Sequence, residues 1–417
     1  MIWLSVPRAN VGEVTRLPTP VLDGSERWVD QHLGDLALGG AGAIRRSTRF
    51  TGGQTAADAA LEAFSVRGYA GRRNQVLPEN ARGASGLSPF IRHGLLSLPR
   101  VWGAVEGGPA RDVAKFRDEL LWQEYARHLY ARVGRAIHRP LRRAPAAGSG
   151  WIGDPWPSEM ACLAEVDRGL TEEGWLVNQR RMWAASQWTV RAGARWQDGE
   201  RRMFRLLLDG STAANGLGWQ WTTGAATGKP YGFSRWQVEK RAPELCERCS
   251  LRQRCPIQRW PDAQPGAPIE PIAELRRDPD PGRTAGPSES RLSGSPEAVW
   301  LTAESLGDAD PALAAHPDLP VVFVFDDPLL TRLRLSGHRL VFLTEVLADL
   351  AGRRPVEVHR GDPTQVLAGR PLAVTHTPVP GFAARSARLD VAALHPWPWL
   401  RRPAGGSVAS FTAWVRA

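Results

Sequence analysis

A mainly α-helical region followed by a small C-terminal α/β domain of Rossmann-like type, with a parallel sheet, is the fold class this chain of 417 residues predicts. Three observations predict it. Over the first 262 residues apolar side chains recur at helical spacing, with few alternating runs. From 298 onward the pattern changes to short apolar runs separated by helical stretches, as in strand–helix–strand units. Between them, 263–297 is rich in Pro, Gly and Ser and has almost no hydrophobic periodicity, the pattern of a linker.

In the first region the helical patterns run over 56–66, 112–133, 158–171 and 178–192, and the segment before residue 50 is an N-terminal extension. The helical domain is expected over 50–262, the flexible linker over 263–297 and the α/β domain over 298–417. In that last domain apolar runs at 298–301, 320–325, 356–358 and 372–374 predict buried parallel strands, and 339–351 predicts a helix between two of them. No internal repeat and no long like-charge block interrupts this plan.

With 42% apolar and 23% charged residues the chain can bury a sizeable core, and 42 Gly with 34 Pro stays below low-complexity content. The net charge of +10 favours a polyanionic partner such as nucleic acid, although arginine-rich codon usage produces the same number. Eighteen Trp against four Tyr is an unusual balance that points to ring stacking or electron traffic. The opening residues Met1 to Arg8 lack a basic segment followed by a long apolar one, so a cytoplasmic protein with no membrane partner is expected. A monomer is the default expectation.

Only four cysteines occur, Cys162, Cys246, Cys249 and Cys255, and three crowd into ten residues as Cys-x2-Cys-x5-Cys-Pro. Three close thiolates and a distant fourth can supply the ligands of a [4Fe-4S] cluster or of tetrahedral zinc. The distant ligand and Pro256 favour iron and sulfur, and the alternatives are zinc or an ordinary reduced turn.

The densest information lies between Glu173 and Tyr231. Gly174-Trp175-x-x-Asn178-x-x-Arg181-Met182 is followed by Asp209-Gly-Ser211 and then Asn215, Trp219 and Trp221. Helical spacing puts Asn178, Arg181 and Met182 on one face. Arg181 and Asp209 can form a buried charge pair, with Asn215 and two indoles facing a pocket for a flat heteroaromatic ligand.

This constellation resembles the flavin-binding core of the photolyase and cryptochrome family, with its Gly-Trp-x-x-Asn-x-x-Arg-Met and Gly-Trp-Gln-Trp motifs. The likeness extends upstream through Gly52-Gly53-Gln54-Thr55, Tyr69, Ser85-Gly86-Leu87-Ser88-Pro89 and Glu119-Leu-Leu-Trp122, and covers roughly 50–245. The resemblance implies a helical FAD-binding photolyase domain. It places Tyr69, Ser85, Leu87 and Ser88 at the FAD phosphates, Arg181 and Asp209 beside the flavin ring, Ser211 close to it and Asn215 next to flavin N5. It further places Glu119, Trp122, Asn178, Met182 and Trp221 around a cavity for a flipped-out pyrimidine dimer. Trp219 and Trp196 match the inner members of a photoreducing tryptophan chain, and the outer member is one of Trp151, Trp156, Trp183 and Trp188.

An iron-sulfur branch of the family also places one cysteine upstream and the rest after a Lys-Pro-Tyr segment, here Lys229-Pro230-Tyr231. The α/β domain normally comes first in the family, so its resemblance to 298–417 implies a circularly permuted chain. The Arg-rich element that usually follows the first strand reads Leu-Thr-Ala-Glu-Ser here, which makes an antenna chromophore doubtful.

The implied function is blue or near-UV light-driven electron transfer from reduced FAD to a cyclobutane pyrimidine dimer in DNA. The alternatives are a cryptochrome-like photoreceptor without repair, or a flavoenzyme of this fold acting on another small substrate. Ser211, Gln179 and Gln123 replace charged residues of the family pattern, which weakens the expected DNA contacts. Arg180, Arg92, Arg72 and Arg73 are the residues expected to compensate.

Overall fold

The structure is a computed structural model and describes residues 14–146, 151–261 and 263–416, so the Met1–Arg8 segment lies outside the described residues. Helices dominate from Gln54 to Arg241, and a sheet of seven strands gathers most of the rest. The strands are β1 (Thr15–Leu17), β2 (Arg291–Leu292), β3 (Ala298–Leu301), β4 (Val321–Asp326), β5 (Val356–Gly361), β6 (Leu372–Thr375) and β7 (Val391–His395). Their spatial order is β1-β5-β4-β3-β6-β7-β2. The five inner strands are parallel, and β1 and β2 close the two edges antiparallel.

β3, β4 and β6 are buried along their whole length, which is why they appear in the sequence as continuous apolar runs. The two edge strands were not anticipated. β1 comes from the N-terminal extension and pairs Arg16 with His359 across the chain, and β2 arises inside the segment expected to be a flexible linker. That segment also carries the short helix Pro281–Ala285, started by Pro281 and capped by Asp280.

The helix Gly337–Ala351 joins the two halves. It lies beside β5, against the helices Ser25–Leu33 and Gln54–Ala63, and twelve of its residues are buried. Glu345 accepts from the Gly52 amide at 2.7 Å and pairs with Arg46 at 2.7 Å, while Asp349 accepts from the Gln54 amide at 2.8 Å. A Cβ at Gly52 would stand 2.1 Å from the Phe342 carbonyl oxygen, so only glycine permits this approach. From the same helix, Arg339 donates to the Gly210 carbonyl at 2.7 Å, reaching directly into the region that carries the candidate site.

The 24-residue helix Ala110–Val133 is the spine of the helical half and also anchors the C-terminus. Buried Glu124 accepts from the amides of Leu400 (2.7 Å) and Arg401 (3.0 Å), and Tyr125 donates to the Val408 carbonyl at 2.9 Å. Burial pushes the His128 pKa down to about 3. The neutral ring then donates from Nε2 to the Arg401 carbonyl (2.7 Å) and accepts the Trp414 indole N–H at Nδ1 (2.9 Å). The result is a docked terminal helix, Phe411–Arg416, on the flank of the long one.

Candidate flavin and cysteine sites

The turn Leu208 to Ser211 enters the helix Thr212–Thr222, where the Ser211 side chain caps the helix by accepting from the Ala214 amide. Arg92 and Arg339 both donate to the Gly210 carbonyl, at 2.9 and 2.7 Å, and hold this turn in place. Against it lies the helix Asn178–Ala185. Arg181 donates from Nε to the Leu176 carbonyl (2.9 Å) and from Nη2 to Asp209 Oδ2 (2.6 Å). The expected charge pair therefore forms, and Asp209 is buried.

Its second oxygen, Oδ1, and the buried Asn215 Nδ2 have no hydrogen-bond partner among the described residues. Neither do the indole N–H groups of Trp183, Trp196 and Trp219. Buried polar groups in folded proteins are normally paired, so such a concentration on neighbouring helices calls for a polar ligand or water. Residues able to hold the ring and polar edge of a flavin are thus present, and the donor set fits it.

The remaining predicted residues are distributed as follows. Ser88 accepts from the Trp175 indole at 2.9 Å, Leu87 is buried, and Ser85 accepts from the Leu87 amide at 3.3 Å. Tyr69 is buried with Phe64 and Phe116 edge-on to it, and desolvation holds its phenol pKa well above the usual range. Glu119, one helical turn beyond Phe116, is bound to Lys115 (2.9 Å) and Arg73 (3.2 Å). Asn178 is exposed and donates to the Met182 sulfur at 3.5 Å. Trp221 remains 36% exposed and packs on Tyr231, which in turn meets Trp260.

On the DNA-facing side the structure departs from expectation at Gln179, Arg180, Arg92 and Trp122. Gln179 is buried and donates to the Tyr231 hydroxyl at 3.0 Å, so it does not occupy an open lesion contact. Arg180 is fully buried, paired with Glu165 at 3.1 Å, with its pKa lowered to about 10 by burial. It cannot reach a phosphate. Arg92 is likewise committed, to Glu304 at 2.6 Å, which leaves exposed Arg72 and half-buried Arg73.

Trp122 was expected to form an open wall. Its ring is instead stacked on Phe411 of the terminal helix, with centroids 4.0 Å apart and planes 8° apart. No sequence signal could have indicated this contact, because the two residues are almost 290 positions apart.

Among the indoles, the structure brings Trp188 beside Trp219 and Trp156 beside Trp188. A Cβ added at Gly199 would lie 2.3 Å from Trp219 Cη2 and 2.7 Å from Trp188 Cδ2, so both rings border the same glycine. Trp188 and Trp156 have centroids 5.0 Å apart. Trp196 is buried one helical turn before Glu200, while Trp183 stacks on Phe233.

Glu200 is the buried acid of this cluster, with Oε1 unpartnered, and burial raises its pKa to about 7. Between its ordinary pKa of 4.5 and 7 the folded protein holds a proton that the unfolded chain has lost, so stability falls as pH rises through this window and then levels. Glu200→Gln should therefore stabilise the protein relative to the parent at pH 8 by up to about 3 kcal/mol, an advantage that fades toward pH 4.5. Denaturant melts at pH 5 and pH 8 check this.

The four cysteines line one cavity together with Met160, Arg235 and Ile257, although Cys162 comes from the helix Ala161–Arg168 and the others from the loop that follows Arg241. Burial pushes the Cys162 thiol pKa far up and that of Cys246 to about 11. Among the described residues, no three His, Cys, Asp or Glu side chains stand close enough to enclose a single metal ion.

Residues 116–243 match the FAD binding domain of DNA photolyase. That stretch holds the Arg181–Asp209 pair, Asn215 and the tryptophan cluster. The deoxyribodipyrimidine photo-lyase of a Synechococcus species is 31% identical over 194 residues, 41% of this chain and 38% of that protein. The deoxyribodipyrimidine photo-lyase of Thermus thermophilus is 30% identical over 240 residues, 54% of each chain. The chain thus matches about half the length of these curated relatives or less. A crystal structure of a bacterial class III photolyase from Agrobacterium tumefaciens aligns with 26% identity over 45% of this chain and 42% of that chain, at a TM-score of 0.38. The likeness to photolyases is thus carried by the FAD-binding stretch and by relatives matched over part of their length. No described helix is long and apolar enough to cross a membrane.

Proposed function

We propose that this protein is an FAD-dependent, blue or near-UV light-driven DNA repair enzyme that transfers an electron to cyclobutane pyrimidine dimers. One observation carries the proposal: inside the stretch similar to the photolyase FAD-binding domain, partly exposed Arg181 pairs with buried Asp209, whose second oxygen, like the Asn215 amide, has no partner among the described residues. FAD, when bound, would supply the light absorption and the electron. Arg181 and Asp209 would orient the flavin ring and Asn215 would donate to its polar edge. Tyr69, Ser85, Leu87 and Ser88 would hold the phosphates, with Ser211 fixing the helix that carries Asn215. Trp219, Trp188 and Trp156 form a contiguous path by which electrons would reach the site, with Trp196 buried nearby. Glu119, Asn178, Met182 and Trp221 would line the opening for the lesion, with Trp122 behind the Phe411 ring. The net charge of +10 and exposed Arg72 suit a DNA partner.

The finer assignment is to the iron-sulfur branch, with Cys162, Cys246, Cys249 and Cys255 as ligands. A tetrahedral zinc at about 2.3 Å from each sulfur needs thiolates nearly in contact, whereas a four-iron cluster fills the space between more widely spaced ones. Four thiols lining one cavity support this assignment. The parallel strands β3 to β7 follow the helical region in sequence, which supports a circularly permuted domain order.

A second reading, a photoreceptor without repair, is favoured by the Phe411 ring on Trp122. Phe411→Ala separates the two. If the stack occludes the lesion wall, this substitution raises affinity for a thymine-dimer oligonucleotide by up to about tenfold. Dimer loss under blue light in either protein sustains the repair reading, and flavin photoreduction with no dimer loss in either leaves the photoreceptor.

A further inference from the structure

At the end of β7 two histidine rings face each other nitrogen to nitrogen. His316 Nε2 and His395 Nε2 lie 3.1 Å apart, with the ring planes at 77°. His395 is the last residue of β7 and is buried, while His316 follows the short helix Pro311–Ala315 and is partly exposed. The other ring nitrogen of His395, Nδ1, lies 2.8 Å from the hydroxyl of Ser290, the residue before β2.

Both rings stand on fixed backbone. His395 is paired with Thr375 of β6, and its carbonyl accepts from the His376 amide at 2.8 Å. The helix before His316 is capped by Asp310, which accepts from the Leu313 amide at 2.9 Å, and is held to β6 by the Ala312 amide, which donates to Thr375 Oγ1 at 3.0 Å. The His316 amide closes that helix on the Ala312 carbonyl at 3.1 Å. Two imidazoles so held are organised before any ligand arrives.

Between two ring nitrogens at this separation there is room for one proton at most, so at least one nitrogen turns its lone pair toward the other. When the Ser290 hydroxyl accepts the Nδ1 proton, His395 Nε2 is that bare nitrogen, and a hydrogen bond at one ring nitrogen that frees the other is the usual support of a metal-bound histidine. The spacing suits an ion in place of the shared proton. Two nitrogens 3.1 Å apart, each at the usual distance of about 2.0–2.1 Å from a common ion, subtend about 100° at it, between the octahedral and tetrahedral angles. Imidazole favours zinc, nickel and copper, whereas magnesium and calcium take oxygen ligands. Among the described residues no third His, Cys, Asp or Glu side chain joins the pair, so water fills the remaining positions on the exposed side of His316.

We propose that His316 and His395 form a two-imidazole site for a divalent transition-metal ion of the nickel, copper or zinc kind, with Ser290 positioning the His395 ring. An ion bound there ties the end of β7 to the turn after the helix Pro311–Ala315. The site shares no residue with the flavin or cysteine sites, so it stands or falls apart from the repair reading.

Titration calorimetry of the full chain with Ni2+, repeated with Zn2+ and with Mg2+, tests it. The parent should take up one Ni2+ or Zn2+ more per chain than His316→Ala, saturating below millimolar concentration, and Mg2+ should show no such difference. His316 is partly exposed, so its replacement spares the core, and His395→Gln should lose the same ion. Ser290→Ala should weaken Ni2+ binding by about tenfold while leaving the metal-free denaturant melt unchanged. Equal uptake and affinity in the parent and His316→Ala overturn the proposal. So does an extra ion that Cys249→Ser removes and His316→Ala retains, because that ion then belongs to the cysteine loop.

Discussion

Arg181→Ala is expected to strip the flavin from the protein. In the parent, Arg181 Nη2 lies 2.6 Å from Asp209 Oδ2, and the other oxygen of Asp209 already has no partner among the described residues. Removing the guanidinium leaves a carboxylate buried with neither oxygen paired, which costs about 3–5 kcal/mol of stability. If FAD occupies this region, the same change also removes the cation beside its ring. Flavin absorbance per mole of purified protein should fall by about tenfold or more, in parallel with the loss in denaturant melts. Arg181→Lys keeps the charge without the planar fork and should fall between the two. A variant that is destabilised but retains its full flavin content would reduce the pair to a structural element.

Cys162→Ala has the second large expected effect. Cys162 stands on a regular helix, while Cys246, Cys249 and Cys255 sit on a loop built of turns, with a short 3-10 turn at Arg252–Arg254. The side-chain bonds from the loop toward this helix reach only the segment before it: the Cys249 sulfur lies 3.7 Å from the Glu159 carbonyl oxygen and the Ser250 hydroxyl 3.2 Å from the same atom. A metal centre would be the principal cross-link, so losing its helical ligand should release the metal and loosen the loop. Iron per protein should drop by at least about tenfold, with the broad visible absorption, and cleavage after Arg248 or Arg254 by trypsin should accelerate. Zinc in place of iron in the parent would transfer the same four ligands to a different ion. Full metal retention in the variant would exclude Cys162 as a ligand.

Much of this was legible in the sequence, for physical reasons that particular residues show. β3, β4 and β6 are buried on both faces and appear as continuous apolar runs. β7, Val391 to His395, escaped because two of its five residues are alanines, and β1 and β2 because they are short, polar at the surface and defined only by long-range pairing. The charge pair and the clustering of four cysteines followed from spacing and resemblance, and both formed. Burial of charged and polar groups did not follow. Arg180 looks in sequence like a surface cation, yet it is held inside by Glu165, which lies in another helix. Gln179 faces Tyr231 rather than an opening, because helical phase alone does not say what covers each face. The stacking of Phe411 on Trp122 depends on how the C-terminus docks, through Glu124, Tyr125 and His128, and no local pattern encodes it.

On the proposed reading, this chain holds FAD in a site that exchanges electrons under light and acts on DNA. The most direct test is the absorption spectrum of anaerobically purified protein, with iron and zinc determined, recorded before and after blue light with a thymine-dimer oligonucleotide present. Flavin bands over broad iron-sulfur absorption are expected, with loss of dimer on illumination. A protein that carries no flavin and takes none up from added FAD would contradict it.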